Sequence, residues 1–189
     1  MKEQDVVIDY KQIAENRAKN KNQVEDGLCF DNFLAACYVK CSSQSYGPKI
    51  EKRIIDEYGF EKIPSKKGEG DLLSSKITSF PGFNFGEGKK TELKVSYLSS
   101  NKSWNLIQIR PYENFDFYVF LLINPYDGCK FEWFILKKED VNHNNFKMNS
   151  IHGTKKSNLE NKNIEYKINA TIGSDNYNKL KELNLIKNV

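Results

Sequence analysis

Apolar side chains recur at helical spacing through the first third of the chain. "VVIDYKQIAENRAKN" predicts a short helix, and "DGLCFDNFLAACYVKCSSQS" a second one with Asp26 or Gly27 near its start. In "YGPKIEKRIIDEYGF", Pro48 suits a first helical turn, Ile50, Ile54 and Ile55 form an apolar stripe, and Gly59 marks the end. The period then shortens. "FEKIP" suits a short strand, "DLLSSKITSF" predicts a strand beginning at Asp71, and "PGFNFGEG" turns the chain back into "TELKVSYL", its expected antiparallel neighbour. Ser103 offers an N-cap for "WNLIQIR", which reads as a helix limited by Pro111. "FDFYVFLLIN" is a nearly continuous apolar run, hence a strand covered on both faces, and "PYDG" turns it into "KFEWFIL" as a hairpin. Hydrophobicity falls afterwards, so that 137–189 reads as a polar arm rich in Asn and Lys, closed by a helix over "SDNYNKLKELNLI" with Ser174 as its cap. The pattern predicts an α+β (mixed α/β) fold with a central mixed sheet flanked by helices.

Composition narrows the picture. A chain of 189 residues fits a single domain, and 39% hydrophobic with 13% aromatic residues provides for an ordered core containing sheet. No apolar run reaches the roughly 20 residues that span a bilayer, and "MKEQDVVIDYKQIAENRAKNKN" lacks the apolar stretch of a secretory signal. A cytoplasmic protein with no membrane partner is expected. Cys29, Cys37, Cys41 and Cys129 include no C-x-x-C pair, so buried reduced thiols are expected in place of zinc or disulfides. A net charge of +4 is too small to announce a nucleic-acid binder, although its distribution can still build a basic groove around an acidic pocket.

Candidate chemistry lies in "KKTELKVSYL". Strand side chains alternate faces, so Glu92 and Lys94 project to one side and Leu93 and Val95 to the other. A surface ion pair is one explanation, worth at most about 1 kcal/mol. A metal site with its catalytic lysine is the other. Phosphodiester hydrolysis needs cations beside the scissile phosphate, an activated water and help for the leaving oxygen. Mg²⁺ takes oxygen ligands, usually one or two carboxylates with water and substrate oxygens. Asp71 and Glu92 suit that role if their strands are neighbours, Lys94 would reach the water or the phosphate, and the backbone carbonyl of Leu93 would remain for metal.

Asp71 followed after a hairpin by Glu92-Leu93-Lys94 resembles the D…(D/E)-x-K signature of the PD-(D/E)xK nuclease superfamily, within an element order similar to its α-β-β-β-α-β core. The longer run "ELKVSYLSSNKSWNLIQIRPYENFDFYVFLLIN", with "IHGTKKSNLENKNIEYKI" far downstream, is similar to small type II restriction endonucleases. The resemblance implies a restriction-endonuclease-like core, a Mg²⁺ cofactor, double-stranded DNA as partner, cleavage leaving 5′-phosphate ends, a homodimer, and a bacterial or phage-like origin. It implies metal binding by Asp71, Glu92 and the Leu93 carbonyl, with Glu51 on the preceding helix assisting as a further acid, and Lys94 acting on the water. Gln108 falls where several members place a polar residue facing the site. One departure is visible: Gly70, not proline, precedes Asp71.

Other features take second place. Gln108 and Arg110 are candidate DNA contacts, or ordinary decoration of an amphipathic helix. In "SIHGTKKSN", Thr154 adds a hydroxyl, Lys155 and Lys156 suit phosphates, and His152 or Asn158 suit base edges, against the alternative of a plain polar loop. "GFNFGEGKKT" does not have the G-x-x-x-x-G-K-[ST] spacing and precedes a strand, so no nucleotide cofactor is expected. Two rival functions remain: a structure-specific or nicking repair nuclease of the same fold, and a non-catalytic DNA-binding or protein-interaction module in which Glu92 and Lys94 merely pair.

Overall fold

The computed structural model describes residues 8–64, 68–150 and 164–186. Helices α1 (Tyr10–Asn20), α2 (Phe30–Lys40) and α3 (Tyr46–Tyr58) come first. Asp9 caps α1 by accepting the N–H groups of Lys11 and Gln12, and α3 ends at Gly59 in the left-handed conformation, φ 74°, that favours glycine at this position. α2 starts later than the pattern predicts, after Cys29, because Gly27 at φ 78° still belongs to the preceding turn.

Strands follow in the order β1 (Glu61–Lys62), β2 (Leu72–Ser74), β3 (Thr78–Phe80), β4 (Phe83–Phe85), β5 (Lys89–Tyr97), β6 (Trp104–Ile109), β7 (Phe117–Asn124), β8 (Lys130–Lys137), β9 (Met148–Ser150) and β10 (Tyr166–Ala170), before α4 (Asp175–Leu183). The main sheet has the order β1-β2-β5-β7-β8; β5 and β7 are parallel and every other neighbouring pair is antiparallel. Two smaller antiparallel sheets, β6-β10-β9 and β3-β4, complete a mixed α+β fold.

Three expectations need correction. "DLLSSKITSF" is two short strands, because the buried Ser74 hydroxyl lies 2.6 Å from the Lys76 carbonyl and 2.9 Å from that of Gly86, fixing a turn between them. "WNLIQIR" is a strand, not a helix. Trp104, Leu106 and Ile109 are its buried positions, and the ladder with β10 shifts by one residue between Leu106 and Ile109. This β-bulge contains Gln108 at φ 55°, and the extra residue turns a period of two into a spacing that imitates a helix. The polar arm is the third correction: Val141, Phe146, Ile168, Ala170, Tyr177 and Leu180 are all buried, so this part of the chain closes a second core.

That core lies on one face of the main sheet and the helical core on the other. Leu93, Val119, Leu121 and Ile135 pack with Leu34, Ile50 and Ile54 of α2 and α3. Tyr118, Phe120, Leu122, Phe134 and Leu136 pack with β6, β10 and α4. β7 is therefore buried on both faces, as its unbroken apolar run predicts. β8, at the edge, is covered by the C-terminal tail: the Asn184 side chain accepts the Ile135 N–H and donates to the Trp133 carbonyl, while the Leu185 N–H donates to the Ile135 carbonyl. No helix among the described residues is long and apolar enough to cross a membrane, and their four cysteines are free thiols, Cys37, Cys41 and Cys129 buried and Cys29 exposed.

Candidate active site

β5 presents Glu92 and Lys94 on one face, as period two requires. Glu92 stands opposite Tyr118 of β7, so this face looks toward the second core while Leu93 enters the first. Glu92 is 4% exposed, and Lys94 Nζ lies 2.5 Å from its Oε1 with only 12% of the lysine side chain exposed. The pair is therefore nothing like the exposed ion pairs that contribute little.

Asp71 reaches the same place from β2. The last ladder pair is Leu72 with Thr91, which sets Asp71 beside Glu92, and the Asp71 N–H donates to the Thr91 carbonyl at 2.9 Å. Its Oδ2 accepts the Leu93 N–H at 3.0 Å. A strand residue directs its N–H and C=O to the same side, so the Leu93 carbonyl also looks toward the Asp71 edge. Just before Asp71 the chain veers away from β5 at Gly70, φ 78°, where an added Cβ would lie 3.0 Å from the Thr91 carbonyl oxygen and 3.2 Å from Phe115 Cβ. Proline is locked near φ −65° and cannot adopt this conformation. Gly70→Ala is expected to destabilise the protein by about 2–3 kcal/mol, from left-handed strain together with the close contact, read as a lowered midpoint in urea unfolding.

Glu113 joins the site from the loop between β6 and β7, a residue that the sequence reading did not single out. Because β5 and β7 are parallel and Thr91 pairs with Phe117, the loop entering β7 must arrive beside Glu92. Burial pushes the Glu92 carboxyl up to about 7; Asp71 and Glu113 push the same way, and Lys94 opposes them. Lys94 thus stands among several carboxyl groups.

Arg110 lies at the rim with its guanidinium engaged. Its Nε and second terminal nitrogen donate to Glu165 Oε1 at 2.8 and 2.6 Å, and Glu113 Oε1 lies at 3.5 Å. Burial works against the Arg110 charge, and the carboxylates of Glu165, Glu113 and Glu92 outweigh it, raising its pKa. The Arg110 backbone N–H donates to the Tyr118 hydroxyl at 3.0 Å, tying β6 to the strand beside Glu92. Gln108 is exposed in the bulge. Glu51, on α3, pairs with Lys62 of β1, Nζ to Oε1 3.0 Å, and the Lys62 pKa is raised first by that hydrogen bond and charge, with Asp71 adding to it. His152, Thr154, Lys155, Lys156 and Asn158 lie outside the described residues.

The donor set suits a hard divalent ion held by few protein ligands. Asp71 and Glu92 are oxygen donors one strand apart, and Asp71 has accepting capacity beyond its bond to Leu93. Among the described residues no group of three or more His, Cys, Asp or Glu side chains is gathered to hold a metal ion. No protein-family model matches the chain, and no curated protein is significantly similar to it.

Proposed function

We propose that the protein is a Mg²⁺-dependent, sequence-specific endodeoxyribonuclease of the type II restriction class, acting on double-stranded DNA as a homodimer and leaving 5′-phosphate ends. The observation that carries this reading is the grouping at the β2–β5 junction of half-buried Asp71, bound to the Leu93 N–H, with buried Glu92, 4% exposed, and half-buried Lys94 2.5 Å from it. Asp71, Glu92 and the Leu93 carbonyl would hold Mg²⁺, which offsets charge on the scissile phosphate and lowers the pKa of a bound water. Lys94 orients the attacking water and neutralises charge at the phosphate. Glu51 assists from the α3 side. The parallel pairing of β5 with β7 supports a restriction-endonuclease-like core, whereas the crossover between them carries strand β6 where that core carries a helix.

Glu92 and Lys94 already satisfy each other, which favours one other reading, a DNA-binding module without catalysis. Incubation of the purified protein with long phage DNA in Mg²⁺ decides between them. Discrete double-strand fragments that vanish in EDTA are expected. Diffuse nicking would point to a repair nuclease of the same fold, and salt-sensitive binding without cleavage in any divalent metal would overturn the enzymatic reading.

A further inference from the structure

The β6-β10-β9 sheet turns one face to the second core and the other outward. Trp104, Leu106 and Ile109 of β6 and Ile168 and Ala170 of β10 are the inward positions. The register then fixes the outward ones: Asn105 lies opposite Asn169, Lys167 lies opposite Asn149, and the bulge sets both Ile107 and Gln108 against Lys167. Gln108, Asn149 and Asn169 are exposed, Asn105 and Lys167 are half-buried, and Ile107 is 51% exposed. The fold has no evident use for these carboxamides. Asn142, Asn176 and Asn184 spend their side chains on backbone groups, whereas among the described residues those of Asn105, Gln108, Asn149 and Asn169 have no hydrogen-bond partner. Asparagine is also a poor strand former, and Gln108 holds a φ of 55° that costs a residue with a side chain.

We propose that this face reads A·T base pairs in the major groove of the duplex, a specificity that rests on the reading of the protein as a DNA endonuclease. A carboxamide carries an acceptor and a donor side by side, the complement of adenine N6 and N7, and the Ile107 side chain meets a thymine methyl group. The groups that read G·C pairs are missing: none of the six outward side chains is an arginine or a carboxylate, and Arg110, at the end of β6, is held by Glu165 and Glu113. Lys167 supplies a positive charge for a phosphate. The placement suits the task, because Gln108 stands two residues before Arg110 at the rim of the candidate site. From Asn105 to Gln108 the strand covers about 10 Å, or roughly three base-pair steps, and a paired β-ribbon fits the major groove.

The test selects duplexes from a randomised pool by their binding to the full chain, in EDTA and again with Ca²⁺, so that the readout does not depend on cleavage. The selected motif is expected to contain adjacent A·T pairs. Replacing its adenines by 7-deazaadenine, or its thymines by deoxyuridine, should weaken binding about tenfold, since each change removes a group found only in the major groove. Gln108→Gly, which keeps φ 55° without strain, and Asn169→Ala should each lose about tenfold in discrimination at one position of the motif. Lys167→Ala should instead weaken all sequences alike and lower the salt dependence by about one phosphate contact. Circular dichroism confirms that each variant is folded. A motif of G·C pairs, binding without any motif, or discrimination that survives both Gln108→Gly and Asn169→Ala overturns the reading face and leaves the nuclease standing. A wild type that binds no duplex in either condition overturns both.

Discussion

A Lys94→Ala protein is expected to lose Mg²⁺-dependent DNA cleavage by about 10³-fold or more in single-turnover rate, the scale of removing a group that stabilises transition-state charge directly. The loss should be this large because, among the described residues, two other cations near the site are already engaged. Arg110 is clamped by Glu165 and Glu113, and Lys62 is engaged with Glu51. Lys94 is also the only one of these cations within contact of Glu92. The fold should survive, since Leu93 and Val119 hold β5 against β7 from the opposite face. Truncation leaves Glu92 buried without its ammonium, and the carboxyl then takes up a proton more readily. Lys94→Ala should therefore weaken Mg²⁺ binding as well, and saturating metal should not restore the rate. Cleavage within tenfold of wild type, at equal circular dichroism and thermal midpoint, would sink the assignment of Lys94 and with it the enzymatic reading of the pair.

Much of this framework was legible in the chain because its central strands are written in strong patterns. "TELKVSYL" alternates around a buried Leu93, "FDFYVFLLIN" is apolar on both faces, and the Gly59 and Ser174 boundaries rest on local geometry that few other residues supply. β6 was hidden by its bulge: one added residue at Ile107–Gln108 changes the phase of the apolar positions, and nothing local distinguishes that from a helical stripe. Ile77, 71% exposed, likewise let two short strands pass for one. The rim of the site was beyond local reading for another reason. Arg110 and Glu165 are 55 residues apart in sequence, and Glu113 approaches Glu92 only because the crossover makes β5 and β7 parallel. A reader who had inferred that parallel pairing could have placed the acid just upstream of "FDFYVF" at the head of β5; composition and spacing alone could not.

Glu92 should also leave a mark on stability as a function of pH, opposite in sign to that of an ordinary carboxylate. Its pKa rises from about 4.5 in the unfolded chain to about 7 in the folded protein, chiefly through burial. Between these values the folded state keeps a proton that the unfolded state has released, so stability falls as pH rises across the window and levels off above it. The contribution of Glu92 is read as a thermal midpoint that falls as pH rises through this window. Glu92→Gln isolates it. The wild-type midpoint minus that of Glu92→Gln should decline between pH 5 and 8, and a difference independent of pH would refute the shift. Mg²⁺ added at pH 8 should restore stability to wild type and do much less for the variant, because ligation would favour the ionised carboxylate that burial opposes. Cleavage should rise through the same window, as Glu92 becomes able to hold metal. On the proposed reading, the pH range in which the protein is weakened is the range in which Glu92 becomes able to take a cation, because burial opposes its ionised form until a positive charge offsets it.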